Sequence, residues 1–347
     1  MTTGRSRTAD FLKGVALIAM VQLVLVEFFA RPVILNGLLG KISLFIGGPP
    51  VAPVFLAIMG YYVAHQRHTF WQLVLRGVKL IVLGILLNIA RNGYLLVKLI
   101  SEKTGGDVWH IVFGTDILIL AGISLVAMAI VIRILRGHVL AYLGLIIVFL
   151  LLQYIIPPVE KSLPHSIVVP FFYGKYPHAQ FPFIPWFAYV LAGYTFYLFK
   201  RFFVADQFKH SNTIKIILLS LSGVLLLLTL PFGYSVSIHH SLFYHHGILF
   251  FWFCTNYMFW WLLSARYIVD RVDNKITGYF EFIGKNVTAF YVIFMVLAGN
   301  FAVSYQKSLD YLMLVIGFVL LLAATSFLVW VWEKIRRKKT EPRGLKI

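Results

Sequence analysis

An all-α, polytopic membrane helix bundle of about ten spans is the fold class this sequence predicts, and three observations predict it. Hydrophobic residues make up 60% of the 347 and charged residues only 13%, with a mean hydropathy of +0.84, outside the soluble globular range. Apolar windows of spanning length recur along the chain. The basic residues crowd into alternate loops and the C-terminal stretch, so the net charge of +18 reads as positive-inside sorting and not as a nucleic-acid surface.

The first window, 11–30, follows a short polar segment with no small-residue cleavage site after it. It is therefore expected to be retained as a helix and not removed as a signal peptide. It carries Asp10, Lys13 and Glu27 on one face. At 100° per residue, Asp10 lies about 60° to one side of Lys13 and Glu27 about 40° to the other, with Gln22 opposite. From Lys13 to Glu27 the helix rises about 21 Å, most of the hydrocarbon thickness. Polar groups at that depth cost on the order of a few kcal/mol each unless they face protein or water, so the stripe is expected to line a cavity through the bundle.

The second window, 43–64, is interrupted by Gly47-Gly48-Pro49-Pro50 and Pro53, which predicts a break, with a re-entrant piece before a shorter helix as one form of it. Windows at 70–90, 112–134, 138–156, 182–200, 213–232, 246–265, 283–304 and 310–332 follow. A cytoplasmic N-terminus puts the richest basic clusters inside: Arg5 and Arg7, Arg133 and Arg136, Lys200 to Lys215, Arg266 to Lys285, and the stretch from Lys334 to Lys346. Both termini are thereby expected in the cytoplasm of a plasma (inner) membrane. The longer outer loops, 91–111 and 157–181, suit covering a site as well as connecting helices. Residues 1–347 read as a single transmembrane domain, with 333–347 a basic cytoplasmic tail. The single cysteine, Cys254, allows neither an intramolecular disulfide nor a cysteine-based zinc site.

On the inner side, Lys13 joins Arg76 and Lys79, which share a helix face at i,i+3. Three cations at similar depth suit the phosphates of a cofactor entering from the cytoplasm; the alternative is snorkelling to lipid phosphates. Gly284-Lys285-Asn286 opens the ninth window, where a helix N-terminus bearing a lysine offers a further anion seat. On the outer side, Glu27 and Asp116 lie near the interface, and residues 239–246 hold four histidines, His239, His240, His245 and His246. Histidine beside a carboxylate is a natural general base, which makes Glu27, Asp116, His245 and His246 the candidate catalytic groups. The same loop also fits an interfacial anchor. A metal site from these histidines with Glu27 or Asp116 is disfavoured by their spacing, and no metal is expected. Asn256 and Asn300 are further polar groups that either bond across helices or line a path.

Four blocks carry a resemblance. Arg7-Thr8-Ala9-Asp10-Phe11-Leu12-Lys13-Gly14 resembles the opening of the transmembrane acyltransferase superfamily, and Ala52 to Tyr61, Phe181 to Gly193, and Ile283-Gly284-Lys285-Asn286 with Tyr291 fit the same pattern. The style is closest to the heparan-α-glucosaminide N-acetyltransferase and YeiB-like branch, with acyltransferase type 3 proteins more distant. The resemblance implies transfer of an acyl group, acetyl as first choice, from cytoplasmic acyl-CoA to a glycan or lipid-linked sugar on the far side of the membrane. It places Lys13 on the family's basic position. One departure stands out: where acyltransferase type 3 relatives have a catalytic histidine, eleven residues after that basic position, this chain has Val24. The glucosaminide branch has its histidine in the following loop, and Arg31–Lys41 contains none.

The leading expectation is thus a membrane acyltransferase that uses acetyl-CoA or another acyl-CoA as donor. Lys13, Arg76, Lys79 and Lys285 would hold its phosphates, and Glu27, Asp116 and the histidine loop would activate the acceptor. Membrane lipids and the acceptor are the expected partners, with a homodimer among the permitted assemblies and no nucleic acid. A transporter or channel for an anionic or acylated lipid, and a non-catalytic acyl-CoA sensor that has lost the histidine, are the competing readings.

Overall fold

The computed structural model describes residues 6–102, 108–156, 168–174, 179–202 and 212–340. Arg5, Lys209, residues 157–167 and 175–178 of the 157–181 loop, and the tail beyond Thr340 lie outside the described residues. Each of the ten windows is helical. In chain order the long helices are α1 (Arg7–Phe29), α3 (Leu38–Gly47) with α4 (Val51–Gln66), α5 (Phe70–Arg91), α8 (Ile117–Leu135), α9 (Val139–Ile155), α11 (Phe183–Phe202), α12 (Asn212–Ser237), α14 (Ile248–Val269), α16 (Val287–Tyr305) and α17 (Tyr311–Thr340). Short helices α2 (Pro32–Asn36), α6 (Gly93–Glu102), α7 (Val108–Val112), α10 (Val169–Phe172), α13 (His240–Tyr244) and α15 (Lys275–Lys285) connect them. Eight of the spans, with α3 and α4 counted together, are long and apolar enough to cross a membrane; α9 is shorter, and α11 carries three tyrosines, Tyr189, Tyr194 and Tyr197. The protein is a multi-pass membrane protein.

Three boundaries differ from the sequence reading, and one break falls where it was expected. Helix α1 begins at Arg7 because the Ser6 hydroxyl accepts from the Ala9 amide, which brings Asp10 inside the helix. The chain does break at Gly48-Pro49-Pro50, between α3 and α4. The ninth window merges two helices: α15 is capped by Asn274 and ends at Asn286, where α16 begins. The tail residues 333–340 continue helix α17, with Arg337 and Glu333 paired at 2.5 Å one turn apart.

Helix α1 is the hub, packed by α3, α4, α14, α15, α16 and α17. Its near end touches α15 backbone to backbone. A Cβ on Gly284 would stand 1.7 Å from the Asp10 carbonyl oxygen, and one on Gly14 2.0 Å from that of Phe280, so only glycine permits the contact. Gln22 faces away from the polar stripe because it is occupied elsewhere: its amide donates to the Ser43 carbonyl and accepts from the Ser43 hydroxyl at 2.6 Å, fastening α3 to α1. At the far end Leu309 donates to the Phe29 carbonyl and Arg31 pairs with Asp310 at 2.7 Å, tying α1 to the start of α17. These ties set the rotation of α1 and hence the direction of its charged stripe.

Candidate active site

A cavity of about 1090 Å³ runs along α1 and is lined by Lys13, Leu17, Met20, Val24 and Glu27 in turn. One end, here the near mouth, lies toward the Arg7 end of α1; the other, the far mouth, lies toward its Glu27 end. Between them the waist is apolar, built from Leu17, Met20 and Val24 of α1, Phe55 of α4, Leu80 and Leu83 of α5, and Leu125 of α8.

The near mouth is cationic. Lys13 Nζ stands 2.8 Å from Asp10 Oδ1, and Asp10 is itself buried against α15. Arg76 and Lys79 line the same region, with Tyr62, Gln66 and His68. The Arg76 guanidinium touches His68, whose Nε2 lies 2.8 Å from the Gln66 Oε1 acceptor. Burial and then the Arg76 charge pull the His68 pKa below its ordinary value, so the ring stays neutral and adds no further charge. Lys285 does not reach the cavity. It ends α15 instead of opening the ninth span, it is half-exposed, and its Nζ lies 3.7 Å from Glu281.

At the far mouth Glu27 Oε1 is 3.3 Å from His240 Nδ1, and the Lys307 ammonium donates to the Glu27 backbone carbonyl. All three side chains line the cavity. Burial lowers the His240 pKa, and the Lys307 and His239 charges lower it further, so the imidazole is neutral at pH 7. Sequence reasoning missed His240 as the partner of Glu27; four histidines in one loop gave the signal but nothing to rank them.

The structure sends the other histidines elsewhere. His246 is buried between Trp186 and Phe250, with Nδ1 on the Phe243 carbonyl at 2.7 Å and Nε2 on the Tyr189 hydroxyl at 2.8 Å. Nδ1 must donate to that carbonyl, so Nε2 accepts from the tyrosine and the ring has no capacity left for a substrate. Burial pushes His245 and His246 each down to about 4, and neither lines the cavity. His239 bonds the Ser235 carbonyl at 2.7 Å. Among the described residues no three His, Cys, Asp or Glu side chains converge as metal ligands.

Asp116 is deeper than its place near a span terminus suggests. It caps α8, accepting from the Leu118 amide at 2.8 Å through Oδ1, while Oδ2 accepts from Arg91 at 3.1 Å and from the Tyr291 hydroxyl at 2.8 Å. Asp116, Arg91 and Tyr291 all line the cavity. Asn256 and Asn300 instead brace helices, Asn256 on the Ser222 carbonyl and Asn300 on the carbonyls of Ala90 and Val296.

The model of the family described as heparan-alpha-glucosaminide N-acetyltransferase, catalytic, matches residues 5–230. The match covers α1 to most of α12, and so Lys13, Val24, Glu27, Arg76, Lys79, Arg91 and Asp116; His240, Tyr291 and Lys307 lie beyond it. No curated protein matches the chain.

Proposed function

The chain belongs to the heparan-α-glucosaminide N-acetyltransferase catalytic family, and from that premise we propose that it moves an acyl group, acetyl as first choice, from acyl-CoA to a glycan or lipid-linked sugar. The observation that carries this reading is the single cavity with three cations at one mouth and a carboxylate–imidazole pair at the other. Near is cytoplasmic in this proposal, by the positive-inside rule, and the membrane is the plasma (inner) membrane. Membrane lipids and the acceptor are the partners, and a homodimer is a compatible assembly.

Acyl-CoA fits the residues present. Lys13, Arg76 and Lys79 offer charge-assisted hydrogen bonds to phosphates. Bound, the donor supplies an activated thioester. His240, with Nδ1–H donated to Glu27, leaves Nε2 as the proton acceptor, and Glu27 holds the ring in that tautomer and favours the cation that forms. The acceptor's hydroxyl or amine loses its proton to His240, the new C–O or C–N bond replaces the C–S bond, and the proton leaves with the thiol. Lys307, fixed on the Glu27 carbonyl, keeps the dyad's backbone in place. This unit fills at the far mouth the role that Val24 cannot perform at the waist.

Purified protein incubated with radiolabelled acetyl-CoA and membrane glycans should transfer label, and Lys13→Ala should weaken donor binding. Failure to bind acetyl-CoA, together with an unaltered Lys13→Ala variant, would defeat the reading. Label-free flux in liposomes that depends on Glu27 would favour the transporter instead.

A further inference from the structure

The turn 112–116 between α7 and α8 is braced more heavily than a connection requires. The Asn88 side-chain amide donates to two of its carbonyls, Val112 at 3.0 Å and Gly114 at 2.8 Å. The Thr115 hydroxyl accepts from the Gln180 amide at 2.9 Å. Asp116 then receives three donors from three different places, its own helix, α5 and α16. The whole arrangement delivers one buried carboxylate, 3% exposed, to the cavity wall.

An ionised carboxylate accepts about four hydrogen bonds, and Asp116 uses three among the described residues, two on Oδ2 and one on Oδ1. One lone pair of Oδ1 is left on a side chain that lines the far half of the cavity. It is a fixed acceptor for a donor group that arrives with the substrate, held in advance in the geometry it needs.

We propose that Asp116 grips the acceptor, taking a hydrogen bond from a hydroxyl or amine other than the one acylated, and that Arg91 and Tyr291 are positioning residues that aim it. This rests on the acyltransferase reading and narrows the acceptor to one with at least two neighbouring N–H or O–H donors, as a sugar has. It separates the work of the two far-mouth carboxylates: Glu27 serves proton transfer through His240, and Asp116 serves recognition.

The test uses full-length protein in detergent with acetyl-CoA as donor and D-glucosamine as the probe acceptor, beside a set of its monodeoxy analogues. Asp116→Asn should raise KM for glucosamine by roughly ten- to a hundredfold, the worth of a hydrogen bond to a charged group, while KM for acetyl-CoA stays put. One deoxy analogue should be as poor for the wild type as glucosamine is for the variant, and should lose no more in the variant. Tyr291→Phe should raise the same KM about tenfold with kcat nearly constant, and Arg91→Lys should restore most of what Arg91→Ala loses. Equal losses in kcat and in both KM values would mean a merely structural turn and would overturn the proposal. So would unchanged glucosamine KM in a folded Asp116→Asn that still binds acetyl-CoA. Absence of acetyl-CoA binding in the wild type is a different result and counts against the acyltransferase reading itself.

Discussion

At the near mouth of the cavity Lys13, Arg76 and Lys79 face one carboxylate, Asp10, whereas at the far mouth Glu27 and Asp116 balance Arg91 and Lys307 around a neutral His240. Among the described residues Arg76 and Lys79 have no carboxylate partner at the near end, while both far-end carboxylates sit in bonded networks. The Arg76 and Lys79 side chains are both exposed, which leaves them open to an anion that comes and goes. A closed, balanced network does not rearrange during a reaction, which is the condition for fixed dipoles to act on developing charge. In the proposed acyl transfer, the near mouth serves binding and release and the far mouth the chemistry.

The hardest blow to this division is struck at the dyad. Glu27→Gln and His240→Ala should each lower kcat by about 10²–10⁴, the usual loss with a general base, and leave the KM for acetyl-CoA within about twofold. A drop in donor affinity instead would erase the distinction between the mouths. The next largest effect belongs to the other end: Arg76→Ala with Lys79→Ala should raise KM for acetyl-CoA by about ten- to a hundredfold at constant kcat, and raised salt should weaken wild-type donor binding more than that of the double variant.

A third measurement sharpens the contrast through pH. His245 and His246 are held down to about 4, and an unfolded histidine titrates near 6.5, so between those values the unfolded chain binds more protons than the folded one. Stability should therefore be full above pH 6.5 and decline as pH falls toward 4. His246→Gln should flatten that slope, and thermal melts between pH 7.5 and 4.5 read it. The smallest effect is the control: Lys285→Ala, outside the cavity and half-exposed beside a Glu281 that keeps its bond from Arg7, should leave donor KM unchanged and alter stability by less than about 1 kcal/mol.

Long apolar windows made the multi-pass helical architecture legible, and Gly48-Pro49-Pro50 announced its break, because hydrocarbon thickness and proline chemistry are local constraints. The orientation of the Lys13–Glu27 stripe was legible from helical periodicity alone. The turn at Asn286 was not, since Phe282, Ile283 and Val287 continue the apolar pattern across it; Lys285 therefore read as the start of a span when it is the end of α15. Nor could sequence rank the histidines. His240 and His246 differ by one and a half helical turns of loop and helix, and only the packing of Tyr189 and Trp186 decides that one is locked away and the other faces Glu27. The partners of Asp116 come from α5 and α16, residues 91 and 291, a separation no local pattern encodes.

The greasy stretch formed by Leu17, Met20 and Val24 has a bearing on the cell that houses this protein. A passage wide enough for a substrate would, if wetted throughout, short-circuit the voltage and proton gradient across the lipid. Oily constrictions expel liquid water, so the apolar middle formed by Leu17, Met20 and Val24 opposes such a leak between the polar ends.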